Sequence, residues 1–200
     1  MKLLMAGPSP FARKVLVVLE ETNQSADVER VTVVAAPGGT EAALAAANPV
    51  GKIPALVRAD GPTLYDSRVI CRFLDARAGA GLYPPSDPWA TLTLEATADG
   101  MMDAAVSMVY EKRFRPAEIV SDQWIEAQWE KVARTLEAIE ARWMAHLNGP
   151  MDIGHIAVGC ALGYLDFRHE DRGWHSGCPT LAEWYEGFAA RPSMQSTTPS

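Results

Sequence analysis

Asn48-Pro-Val-Gly-Lys-Ile-Pro-Ala-Leu-Val57, a turn at Asp60-Gly-Pro62, then Thr63-Leu-Tyr-Asp-Ser-Arg-Val-Ile-Cys-Arg-Phe-Leu74 is the stretch that decides the fold. Pro54 stands just before a short apolar strand at 55–57. Proline has no N–H, so it belongs at the start or edge of a strand. It also makes a cis peptide bond accessible. A cis Ile53–Pro54 bond would turn the Ile53 backbone outward and leave its N–H and C=O free for an extended peptide. Asp66 and Ser67 precede Val69, Ile70, Phe73 and Leu74, a spacing that predicts a helix beginning at 66–67. Such a helix start offers free N–H groups and a positive dipole end to a carboxylate.

Upstream of this stretch, residues 2–6 read as an apolar strand broken by Gly7-Pro-Ser-Pro10. A helix over 11–21 follows, with Ser9 placed as N-cap and Pro10 at its first position. Residues 28–34 alternate as a strand. Residues 35–40 form a Pro/Gly loop, and a short helix over 41–47 ends at Asn48-Pro49. Strands at 53–57 and 63–65 and a helix over 67–77 complete the order β-α-β-α-β-β-α. The helix joining the first two strands makes them parallel. The last two are close enough for a hairpin.

Downstream, residues 78–88 read Ala-Gly-Ala-Gly-Leu-Tyr-Pro-Pro-Ser-Asp-Pro, the one clear linker. All that follows is helical in pattern. Asp87-Pro88 opens a helix running to about Tyr110. A second helix over 121–147 carries the stripe Ile125, Trp129, Val132, Leu136, Ile139, Trp143, and Asn148-Gly-Pro150 ends it. Residues 153–165 are apolar almost all round, as a buried central helix should be. Asp152 is its expected N-cap, with Met151 and Ile156 spaced for a hydrophobic staple. A last helix covers about 180–190. The expected division is 1–77, a linker at 78–86, and 87–200.

Composition narrows the function classes. The chain has 200 residues, 48% hydrophobic and 22% charged, with a net charge of −7. An acidic balance argues against a nucleic-acid or anionic-membrane surface. No apolar run approaches the roughly 20 residues needed to span a bilayer, and no signal-peptide core follows Met1-Lys2. Cys71, Cys160 and Cys178 are odd in number and far apart, which argues against a disulfide framework and fits a reducing cytoplasm. Cys71 and Cys160 fall on apolar faces. His146, His155, His169 and His175 do not share one helix face at a metal spacing, so no metal site is expected.

Gly51-Lys-Ile-Pro-Ala-Leu56 followed by Asp66-Ser67 resembles the glutathione-binding half of glutathione S-transferases. The ending Pro179-Thr-Leu181-x-x-Trp184, then Arg191-Pro-Ser193, resembles the tail of bacterial members. The resemblance implies an α/β thioredoxin-like N-terminal domain and an all-α C-terminal domain. It implies that Ile53, before a cis Pro54, pairs through its backbone with the cysteinyl unit of glutathione. Asp66 and Ser67 would grip the γ-glutamyl end, and Lys52 could meet a carboxylate or be a solvated loop residue. Tyr110 and Arg113, with Arg115, would fall where the family lines its acceptor pocket, or they form a polar helix end. Members usually show Ser/Thr-x-x-Asp at the start of the central helix. Here Asp152-Ile-Gly-His155 departs from that, and His155 can take the carboxylate's place only when neutral and turned back.

The chemistry turns on residues 7–14, where the family carries one hydroxyl or, in oxidoreductase-like relatives, a cysteine. Gly7-Pro-Ser-Pro-Phe-Ala-Arg-Lys14 offers only Ser9. A charge-assisted hydrogen bond of about 1.5–3 kcal/mol plus about 0.3–1 from a helix dipole could lower a thiol pKa by roughly one to two units. Ser9 is thus read as catalytic, with a bare helix cap as the alternative. Arg13 is read as a surface residue, the alternative being a positive charge added near the thiolate. The implied function is transfer of glutathione, as co-substrate, to an electrophilic small molecule, in detoxification, by a homodimer. An isomerase, dehalogenase or peroxidase on the same site is one alternative. A non-catalytic binding protein, like the stringent-starvation proteins that contact RNA polymerase, is another.

Overall fold

The computed structural model describes residues 1–199. The chain separates into two compact units, Met1–Pro85 joined by the residues from Pro192 on, and Ser86–Arg191.

The first unit runs β1 (Lys2–Met5), α1 (Pro10–Glu21), β2 (Glu29–Thr32), β3 (Ala35–Ala36), β4 (Gly39–Thr40), α2 (Ala42–Ala47), β5 (Ala55–Val57) and α3 (Ser67–Ala78). The sheet order is β2-β1-β5. β1 is parallel to β2 and antiparallel to β5. Leu3, Leu4 and Met5 are all buried, because the central strand is covered on both faces. On one face Leu4 packs with Val33, Leu44 and Ala55, against which Ile53 also rests. On α1, everything from Ala12 to Leu19 is buried, and α1 lies against α3.

Two local expectations change. The hairpin strand at 63–65 reduces to one antiparallel bridge, Leu56 to Leu64, with both N–H···O bonds at 2.9 Å. The next hydrogen-bonding pairs in that register would be 58 with 62 and 54 with 66. Each contains a proline, Pro62 or Pro54, so the ladder cannot extend either way. The loop at 35–40 instead forms a small hairpin, Ala35 with Thr40 and Ala36 with Gly39. Its turn is Pro37-Gly38 with Gly38 at φ 75°, the pairing a type II turn requires.

The second unit is helical: α4 (Trp89–Phe114), α5 (Asp122–Arg142), α6 (Met144–Leu147), α7 (Ile153–His169) and α8 (Pro179–Ala189). α7 is buried along nearly its whole length, as its all-apolar surface predicts, and packs on α4, which packs on α5. Ser121 caps α5, its hydroxyl accepting from Trp124 N–H at 3.2 Å. The stripe Ile125, Val132, Leu136 and Ile139 is buried, while Trp129 and Trp143 are half-buried. The expected continuous helix over 121–147 breaks at Trp143, whose φ of −113° leaves the helix. Glu140 from α5 accepts from the Thr180 and Leu181 amides at the start of α8.

A last turn, α9 (Pro192–Gln195), returns to the first unit and packs on α1. Arg13 Nη2 donates to the Met194 carbonyl at 3.0 Å, and the Ser193 hydroxyl donates to Glu21. Arg13 is therefore not a surface residue; it is 5% exposed. Its guanidinium is committed to the Met194 carbonyl. The final residues accordingly group with the first unit, unlike the expected division at 87–200. Among the described residues no helix is long and apolar enough to cross a membrane.

Candidate functional site

Strand register brings three separate segments to one end of the sheet. Leu4 lies opposite Ala55, so one further step sets Met5 beside Pro54. Leu56 lies opposite Leu64, so β5 stands between β1 and the segment that leads to Asp66. Ser9 follows four residues after Met5, where β1 hands over to α1. The Ile53–Pro54 peptide is cis, as expected, and so is Tyr65–Asp66.

Ser9 is half-buried at the N-terminus of α1. Its oxygen accepts from Ala12 N–H at 3.3 Å, and Pro10 occupies the first helical position. Asp66 is the N-cap of α3, with Oδ1 accepting from Arg68 N–H at 3.0 Å. It is exposed, whereas Ser67 is 2% exposed. The dipole of α3 and its first amides face the same end of the sheet as Pro54.

The approach to Ile53 is built by a residue that sequence reasoning passed over. Asn48 is 2% exposed and ends α2. Its Nδ2 donates to the Lys52 carbonyl at 2.8 Å and its Oδ1 accepts from Val50 N–H at 3.0 Å. Its own carbonyl accepts from Gly51 N–H at 2.8 Å. Gly51 sits at φ 68°, and a Cβ there would meet the Thr40 side chain at 3.2 Å. The signal in the sequence was Asn-Pro followed by Gly, an Asx-turn composition. Among the described residues the Ile53 N–H and C=O make no hydrogen bond. The Ile53 side chain is anchored in the core, so its backbone is held but unpaired.

Other expected site residues fall outside this group. Lys52 is exposed, with its carbonyl rather than its ammonium tied into the loop. Tyr110 and Arg113 lie at the exposed end of α4, where Tyr110 meets Phe114 edge-on and Arg113 lies over the Phe114 ring. A wide recess of about 730 Å³, lined by Met1, Asp60, Phe73 and Arg77, opens at the opposite end of β1 from Ser9.

A second polar cluster stands at the start of α7. Asp152 and His155 form a reciprocal cap: Asp152 Oδ1 accepts from the Gly154 and His155 amides, and Asp152 N–H donates to His155 Nδ1 at 3.2 Å. The same Nδ1 lies 2.8 Å from Asp152 Oδ1, so the ring is turned back over the cap, where the family's carboxylate would stand. The Thr91 hydroxyl donates to Asp152 Oδ2, and His146 Nε2 lies 2.8 Å from the same oxygen. Burial raises the Asp152 pKa, but hydrogen bonds from His155 and Thr91 outweigh it and bring the carboxyl to about 2. His146, Asp152 and His155 place donor atoms within 4.8 Å of one another, close enough for an ion. Both carboxylate oxygens are already engaged by amides, a hydroxyl and imidazoles, so the cluster works as a helix cap. Linear spacing did not disclose it, because His146 comes from α6 and Thr91 from α4.

Comparison with known proteins agrees with the architecture. Residues 8–77 match the pattern of the glutathione S-transferase N-terminal domain, and residues 122–187 that of the C-terminal domain. The uncharacterized GST-like protein YibF of Escherichia coli K12 is 32% identical, across 100% of this chain and 98% of its own length. A glutathione transferase family member from Pseudomonas fluorescens Pf-5, solved with bound glutathione, superposes with a TM-score of 0.96 at 44% identity, covering 100% of this chain and 98% of that one. A glutathione S-transferase from Methylobacillus flagellatus KT, solved with GSH bound, gives 0.90 at 40% identity, covering 100% and 99%.

Proposed function

The chain belongs to the glutathione S-transferase family, and we propose that it binds glutathione and transfers its thiolate to an electrophilic small molecule. The observation that carries this reading is that β5 stands between β1, which hands over to Ser9, and the segment that ends at the Asp66 cap of α3. A peptide laid along this end of the sheet would meet the Ile53 N–H and C=O at its cysteinyl unit. Its γ-glutamyl end would meet Asp66 and Ser67 at the start of α3. The thiol would then lie toward Ser9. Lys52 would supply a cation to a glutathione carboxylate, and Tyr110 and Arg113 contacts to the acceptor.

The chemical work falls to Ser9. Its oxygen caps α1 through a lone pair, leaving the hydroxyl proton to donate to a thiolate. That bond and the α1 dipole stabilise the anion over the neutral thiol. Binding then converts a bimolecular attack into a positioned one. The proposal includes a homodimer, for which exposed Tyr65, Val69 and Trp89 offer apolar surface. It also includes a cytoplasmic, detoxifying role, which suits Cys71, Cys160 and Cys178, buried thiols that form no disulfide among the described residues.

Titration calorimetry with reduced glutathione tests the reading. One saturable site per chain is expected, followed by turnover with at least one electrophile class among aryl halides, epoxides, unsaturated carbonyls and hydroperoxides. Absence of heat and of thermal shift at millimolar glutathione would leave the non-catalytic binding protein as the better account.

A further inference from the structure

We infer that Asn48 is a positioning residue for glutathione, acting through the Lys52–Ile53 peptide. The inference rests on the glutathione-binding reading and adds a residue to it. The geometry is direct. A trans peptide holds its C=O and N–H rigidly in one plane, pointing in opposite directions. The Lys52–Ile53 bond is trans. Asn48 Nδ2 holds the Lys52 oxygen at 2.8 Å, which fixes the direction of the Ile53 N–H on the other side of the same plane. That N–H is the donor assigned to the cysteinyl unit.

Asn48 is itself over-determined. It is 2% exposed, its amide donates to the Leu44 carbonyl at 2.8 Å, and its Oδ1 holds Val50 N–H at 3.0 Å. The buried carboxamide therefore cannot rotate without breaking both of its hydrogen bonds, to Lys52 and to Val50. Gly51, at φ 68°, lets the loop close tightly enough for residue 48 to reach residue 52. With the Ile53 side chain in the core, the plane of this peptide is set from both ends before any ligand arrives. Pre-set donors bind more tightly because less ordering is left to the binding step.

Asn48→Asp isolates the effect. A carboxylate keeps an acceptor for Val50 N–H but has no proton for the Lys52 oxygen. The experiment compares wild type, Asn48→Asp and Asn48→Ala by glutathione calorimetry, thermal unfolding and amide exchange at Ile53. Wild type is expected to bind glutathione and to gain exchange protection at Ile53. Both variants, while folded, should bind glutathione about tenfold or more weakly and lose that protection, with KM for glutathione rising more than kcat falls. Folded variants that bind within twofold of wild type would overturn the inference while leaving the glutathione reading intact. Failure of wild type to bind would remove the reading itself. Should neither variant fold, wild type decides through the Asn48 side chain: carboxamide protons that exchange freely with glutathione bound overturn the inference, and carboxamide protons that stay protected while the Ile53 amide becomes protected uphold it.

Discussion

The Ser9 oxygen accepts the Ala12 amide proton at 3.3 Å, at the first turn of α1. This long bond holds the helix start with one lone pair and leaves the hydroxyl proton uncommitted, so capping and thiolate stabilisation are compatible in one residue. Ser9→Ala separates them. The pKa of bound glutathione should rise by about one unit or more, read as thiolate absorbance against pH. Turnover near neutrality should fall and partly recover at higher pH. Stability should drop by about 0.5–2 kcal/mol from the lost cap. A stability loss with unchanged thiolate pKa would reduce Ser9 to a cap.

Asp66 also caps a helix, and the proposed function gives its charge a second task on glutathione. Asparagine caps about as well as aspartate, so Asp66→Asn should leave the unfolding midpoint nearly unchanged. Glutathione affinity should weaken by about 1–3 kcal/mol, the range for losing a charged hydrogen-bond partner. Calorimetry paired with denaturant melts distinguishes the two roles.

Asp152→Ala removes a buried carboxylate that serves the α7 amides and Thr91 together. The expected cost is about 2–3 kcal/mol, above a simple cap, because the Thr91 hydroxyl is stranded as well. Glutathione affinity should not change, since the residue lies in the helical unit. The carboxyl pKa of about 2 lies below its unfolded value. Its contribution is therefore full above about pH 4 and is lost as pH falls toward 2. Urea unfolding of wild type and variant between pH 6 and pH 2.5 should converge at the acid end.

His169 gives a pH dependence in a higher range. It is buried, with Nε2 donating to the Ala105 carbonyl at 3.0 Å and the Trp129 and Tyr164 rings nearby. Burial lowers its pKa, against the opposing pull of that hydrogen bond. A lowered pKa means the neutral ring stabilises the fold above the unfolded value of about 6.5, and that stability is lost as pH falls below it. His169→Gln retains an N–H donor and should flatten the stability profile between pH 7 and pH 5. A profile identical to wild type would show that His169 is not its source.

Much of this architecture was legible because its determinants are local. Ser9-Pro10 started α1, Ile53-Pro54 started β5, the 4-3-4 stripe predicted α5, and Gly/Pro density marked the linker. The illegible parts depend on partners far along the chain. Arg13 looked solvated because its acceptor is the Met194 carbonyl, 181 residues away. Asn48 looked like a helix stop until its amide was seen on Lys52. His146 and Thr91 joined Asp152 only once α4, α6 and α7 were packed. Periodicity reports which face of an element is apolar, but not which polar atom will meet another across the fold.

The return of α9 to α1 bears on how the chain is made. A ribosome delivers residues 1–85 first, then the whole of 86–191, and only afterwards the segment whose Met194 carbonyl receives the Arg13 guanidinium. Through most of synthesis the thioredoxin-like half therefore stands with a cationic side chain unanswered and the α9 side of α1 uncovered. Domains generally fold as units, N-terminal first, as they emerge. Here the earliest-made unit is finished last, so nascent chains stalled before Pro192 should be held by chaperones or cleaved near α1 more readily than released ones.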